Sequence, residues 1–167
     1  MMDTTIREKI IQEFLTRAAL IRVSSPQVYA TDIGENVLRA RSKVDPSELP
    51  CIVVWPQVEE AEIKYGRQLC KMPLKIEGVV KYGETDPSVV AEQILGDLIY
   101  CFVSQSWDRR RLIVGSSPVA YNNPYAESVV YTGGGTNDYP DGADITVGVF
   151  ITLIVTYYTQ IGNPYAQ

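Results

Sequence analysis

Between Ile145 and Thr159 the sequence alternates with a period of two. Ile145, Val147, Val149, Ile151, Leu153 and Val155 fall on one side, and Thr146, Gly148, Phe150, Thr152, Ile154 and Thr156 on the other. Successive side chains of a strand point to opposite faces, so this stretch reads as one long strand with an aliphatic side made for a core. It is far longer than the usual five or six residues. Its second side, threonine mixed with Phe150 and Ile154, suits neither a core nor ordinary solvent surface, and is expected to meet another subunit.

The remaining segments supply what such a strand packs against. Thr5 and Glu8 have the spacing of a capping box, and Ile6, Ile10, Phe14, Ala18 and Ile21 recur at helical intervals, which predicts an amphipathic helix over about 4–20. Asp86 followed by Pro87 is a helix start, and Val90, Ala91, Ile94, Leu95, Leu98, Ile99 and Phe102 form the wide apolar stripe of a helix lying across a sheet over about 86–104. Gly96 inside that helix suggests a close packing contact. Cys51–Trp55, bounded by Pro50 and Pro56, reads as a buried strand. Val58–Tyr65 and Leu69–Tyr82 read as two more, joined by a turn at Gly66-Arg67, with Arg111–Val114 and Tyr125–Thr132 as further strands. In the arm from 22 to 50, Val28–Ala30 and Val37–Ala40 flank a Gly34-containing turn. This is a small hairpin or, given Pro26, Pro46 and Pro50, an ordered surface loop. The four glycines and the Asp and Asn residues of 132–144 predict a flexible loop.

These segments add up to an α/β (α+β) chain, residues 1–167 forming a single domain. A mixed, mostly antiparallel sheet is packed by two main helices, with a small hairpin and a long C-terminal strand. A length of 167 residues fits one core, and 46% hydrophobic with 21% charged residues is the balance of a chain that folds. The net charge of −5 lies entirely in residues 86–167, where eight acidic side chains face three basic ones, Arg109, Arg110 and Arg111. Such a surface disfavours sequence-independent nucleic-acid binding, and the arginine run is a solvated turn or a partner patch. Cys51, Cys70 and Cys101 sit in apolar runs and read as buried thiols. With no signal-peptide pattern and no apolar run of about 18 residues, the chain is expected in a reducing cytoplasm, away from membranes.

Little here supports catalysis. The sequence contains no histidine, which removes the commonest general base and metal ligand. The cysteines show no paired metal-ligand spacing. Glu60 and Glu62 share one strand face while Glu59 points away, as on a solvated strand. Gly133-Gly134-Gly135-Thr136 lacks the ending of a phosphate loop, and Asn137, Asp138, Asp141 and Asp144 miss the calcium-loop register. No enzyme activity, cofactor or metal is expected. Eleven tyrosines, Tyr121, Tyr125, Tyr131, Tyr139, Tyr157, Tyr158 and Tyr165 among them, give either an interface or a tyrosine-rich sheet surface.

The order of elements, with the stretches Glu48-Leu49-Pro50-Cys51-Ile52-Val53-Val54-Trp55 and Leu74-Lys75-Ile76-Glu77-Gly78-Val79, the Asp86-Pro87 helix, and a Gly/Asp-rich stretch feeding a strand that closes in Val-Thr-Tyr-Tyr-Thr, resembles the tail terminator family of long-tailed bacteriophages. The resemblance implies a structural virion protein at the head-proximal end of the tail, assembled in the host cytoplasm. Six copies would form a ring that caps the tail tube, stops its polymerisation and offers a head or neck attachment surface. Implied partners are further copies of the chain, the tube protein, a neck or head-completion protein, a sheath protein in contractile tails, and DNA passing through the lumen without specific binding. Arg109, Arg110, Arg111, Tyr131, Asp138, Tyr139, Asp141, Asp144, Phe150 and Tyr158 are the candidate interface residues. Rival readings are another neck or tube protein and, in a different class, a small-molecule-binding module using Glu92 or Asp97, both expected to be solvent-exposed.

Overall fold

A computed structural model of the chain describes residues 3–23, 28–103, 125–138 and 145–167. The elements in chain order are α1 (Ile6–Ala18), β1 (Val37–Arg39), β2 (Cys51–Pro56), β3 (Glu60–Lys64), β4 (Arg67–Lys81), α2 (Pro87–Val103), β5 (Ser128–Asp138) and β6 (Thr146–Thr159). The strands form one mixed sheet in the order β1-β2-β4-β6-β5, with β3 paired to β4 beside β2. Among the described strands only β1 and β2 run parallel. The α+β class expected from the sequence is the one observed.

The spine of the sheet is the antiparallel pair β4–β6, in register from Gln68 opposite Thr159 to Lys81 opposite Thr146. Both helices cover one face of it. Ile6, Ile10, Phe14 and Ala18 of α1, together with Ala91, Ile94, Leu98 and Phe102 of α2, pack on Met72, Leu74 and Ile76 of β4 and on Val147, Val149, Ile151, Leu153 and Val155 of β6, all buried. Phe14 and Phe102 stack with ring centres 5.8 Å apart, tying the two helices together. The helix starts follow their caps. Thr5 Oγ1 accepts from the Glu8 N–H at 3.1 Å, and Asp86 Oδ1 accepts from the Ser88 N–H at 2.8 Å.

Four expectations are corrected. Among the described residues of the arm no hairpin forms: β1 pairs in parallel with β2, Val37 opposite Ile52, while the backbone N–H groups of Ala30 and Thr31 donate to the Asp97 carboxylate on α2. The glycine-rich stretch is not a loop as far as Asp138. β5 continues through it, Gly133, Gly134 and Gly135 lying opposite Thr152, Ile151 and Phe150, because β6 offers a long free edge. The register shifts there, and a side chain on Gly134 would meet the Phe150 carbonyl at 2.5 Å, so only glycine fits. The close contact expected at Gly96 occurs instead at Gly78, where an added Cβ would come within 2.9 Å of Ile94. Gly96 faces open space. Finally, Ala61, Ile63 and Tyr65 alternate with Glu60, Glu62 and Lys64 as on a strand with one wet face, yet β3 is exposed on both of its sides. The expected strand Arg111–Val114 lies outside the described residues.

Candidate functional site

With both helices on one face, the opposite face of the sheet stays uncovered by either. Alternation brings Trp55, Lys75, Thr152 and Gly133 into one row across β2, β4, β6 and β5, and Val53, Glu77, Phe150 and Gly135 into the next. Phe150, Thr152, Ile154 and Thr156 of β6 are half-buried here, while their neighbours in sequence are buried under the helices. This is the mixed Thr/Phe/Ile side that the sequence sets apart.

Glu77 organises the centre of this face. Its carboxylate accepts from Trp55 Nε1 at 2.7 Å and from Asn137 Nδ2 at 3.2 Å, and pairs with Lys75 Nζ at 2.5 Å. The Lys75 ammonium also stands 5.3 Å from the centre of the Phe150 ring. β2, β4 and the end of β5 are thereby tied through one acceptor, and Lys75 links it to Phe150 of β6. A carboxylate with these donors is satisfied within the fold, so its surroundings form a pre-ordered platform of aromatic, hydroxyl and paired charged groups.

At one end of the sheet β3 pairs with the start of β4 in a hairpin ribbon, and that part of β4 also pairs with β6 from Gln68 onward. The ribbon turns at Tyr65-Gly66, both with positive φ (52° and 72°), which is the pattern of a tight two-residue hairpin turn. Ile63 is 70% exposed and Tyr65 88%. At the ribbon's root Glu59 turns to the helix side, where Tyr157 Oη donates to its carboxylate and Arg7 Nε lies 3.5 Å away. Burial, with the Glu59 charge beside it, pushes the Tyr157 phenol well above its ordinary value. The pocket of about 340 Å³ next to this pair is lined by Thr5, Arg7, Gln68 and Thr159, among others. Its acid and base neutralise each other.

Of the candidate residues, Phe150 and Tyr158 share the open face, eight residues apart on β6. Tyr131 lies on the helix side, opposite Leu153, and is 37% exposed. Asp138 ends β5 opposite Gly148. Arg109, Arg110, Arg111, Tyr139, Asp141 and Asp144 lie outside the described residues. Glu92 is exposed as expected, but Asp97 is 5% exposed, which corrects its placement in solvent. The residues that sequence reasoning passed over are Trp55 and Glu77, whose pairing depends on strand register, and Tyr65, whose signal was its place before Gly66 between two strand patterns.

Among the described residues there is no group of three or more potential metal-ligating side chains, and no helix is long and apolar enough to cross a membrane. No protein-family model matches the chain, and no curated protein matches its sequence.

Proposed function

We propose that this chain is a self-assembling structural subunit of a long-tailed bacteriophage, a tail terminator whose six-membered ring caps the tail tube, stops its growth and presents a surface for the head or neck. The observation that carries the proposal is the platform around Glu77. It is a sheet face half-buried along β6 and buried at Cys51 and Val53 of β2, with aromatic and hydroxyl groups beside the paired charges of Lys75 and Glu77. Such a face suits a large protein partner better than a small ligand, because recognition there comes from area and shape.

The family resemblance in the order of elements supports the same reading. So does the β3–β4 ribbon, which leaves Ile63 and Tyr65 exposed to solvent. On this reading, neighbouring subunits and the tube end cover the platform and the ribbon, and the subunit contributes contacts only. Electron microscopy of the concentrated protein tests it. Closed rings are the expected product, whereas unlimited tubes would identify a tube subunit instead.

A further inference from the structure

β3 is an edge strand. Among the described residues it pairs with β4 alone, and its side chains are exposed on both faces. The two-residue turn at Tyr65-Gly66 makes Lys64 and Arg67 the hydrogen-bonded pair that closes the hairpin, and such pairs alternate along antiparallel strands. Glu62 with Leu69 is therefore the next hydrogen-bonded pair, and the N–H and C=O groups of Ala61 and Ile63 point away from β4. An edge of this kind is a template for a further strand.

The run Glu60-Ala61-Glu62-Ile63-Lys64 is complementary to itself. Laid antiparallel on a second copy about Ile63, it sets the two Ile63 residues opposite each other and Glu62 of each copy opposite Lys64 of the other. The outward backbone groups of the two Ile63 residues then meet, as the alternation requires. Tyr65 of each copy comes beside Ala61 of the other, so apolar side chains gather on one face of the joint and charges on the other. A register centred on Glu62 would instead put two carboxylates opposite each other. The other charges at the ribbon do not oppose the pairing. Glu60 lies opposite Lys71 of its own chain, and Glu59 turns to the helix side, bonded to Tyr157 and beside Arg7. Lys64 stands opposite a like charge in its own chain, Arg67, and Glu62 of the second copy supplies a counter-charge.

The position of the edge leaves room for a second copy. β3 lies along Arg67–Lys71 of β4, whereas β2 lies along Leu74–Val79 and β1 outside β2. A two-fold axis at Ile63 sends the second copy's β4 away past the Tyr65-Gly66 turn, so the described parts of the two bodies diverge. We infer that two copies of this chain pair through their β3 edges about a two-fold axis at Ile63, joining two sheets into one. The contact goes beyond the proposed ring. A surface that meets itself closes at two copies, so the pair is a form of the subunit outside the ring, whose neighbours would cover the same ribbon.

Charge reversal and cross-linking test the pairing. Glu62→Lys alone and Lys64→Glu alone each set like charges opposite one another, whereas Glu62→Lys combined with Lys64→Glu restores opposite charges. These positions are exposed, and every variant is checked for wild-type thermal unfolding. Sedimentation at low concentration should show wild type and the double variant as pairs, with each single variant pairing about tenfold more weakly. Under mild oxidation an equimolar mixture of Glu62→Cys and Lys64→Cys chains should cross-link between copies. Neither alone should, because its two new thiols lie two strand positions out of register, and the native thiols are buried. If the single variants pair as well as wild type, if the double variant regains nothing, or if the mixture does not cross-link, the contact is wrong. Rings that form from a chain with no paired species at lower concentration would overturn this contact and leave the proposed function standing.

Discussion

Asp97 carries a charge into the helix layer and uses it to hold backbone. Its carboxylate accepts from the Ala30 N–H at 2.9 Å and the Thr31 N–H at 2.8 Å, fastening the arm to α2. Asp97→Ala leaves both donors without their acceptor and should cost about 3 kcal/mol in urea unfolding, with Asp97→Asn losing less. The buried thiols respond to pH. Burial raises Cys51 and Cys101 from 9.0 to about 11, so the folded state keeps the protons that the unfolded chain releases. Their contribution to stability is therefore complete below pH 9 and is lost as pH rises from 9 to 11, which chemical denaturation at graded alkaline pH can follow. Burial of the cysteines was legible because they stand in apolar runs. The burial of Asp97 was not, since helical periodicity locates a face but not a loop that folds back over it.

At the level of elements, two glycines reverse the roles that local pattern suggests. Gly78 lies on β4 beneath Ile94 of α2, and a methyl group there would have to displace that side chain. Gly78→Ala should destabilise the protein by about 1–3 kcal/mol, with partial recovery when combined with Ile94→Val. Gly96 is exposed with open space around it, so Gly96→Ala should stabilise by up to about 1 kcal/mol, and the melting temperatures of the two variants should move in opposite directions. Helix starts at Thr5 and Asp86 and the long strand β6 were readable because capping residues and a strict period of two are local signals. The continuation of β5 through Gly133–Gly135 was not, because glycine advertises a loop. Only the edge of β6, formed elsewhere in the sequence, supplies the partners that make it a strand. The parallel pairing of β1 with β2 has the same origin.

At the scale of the molecule, the described residues form a two-layer unit with helices on one face of the sheet, a platform on the other and the Tyr65-Gly66 turn at one end. The layer arrangement follows from two apolar helical stripes and the aliphatic side of β6, all visible in sequence. The platform's chemistry was visible only in part. Thr and Phe150 on the second side of β6 signalled an unusual face, but its centre at Glu77 is assembled from Trp55, Lys75 and Asn137 on other strands. A face ordered in this way by pairings within the chain is ready to meet a protein surface with little further loss of side-chain freedom. The most direct test is the mass distribution of the purified chain over a concentration series, with images of each species. A closed ring of six that stops growing as concentration rises is the expected result. A monomer at every concentration, or an assembly that lengthens without limit, would contradict the account.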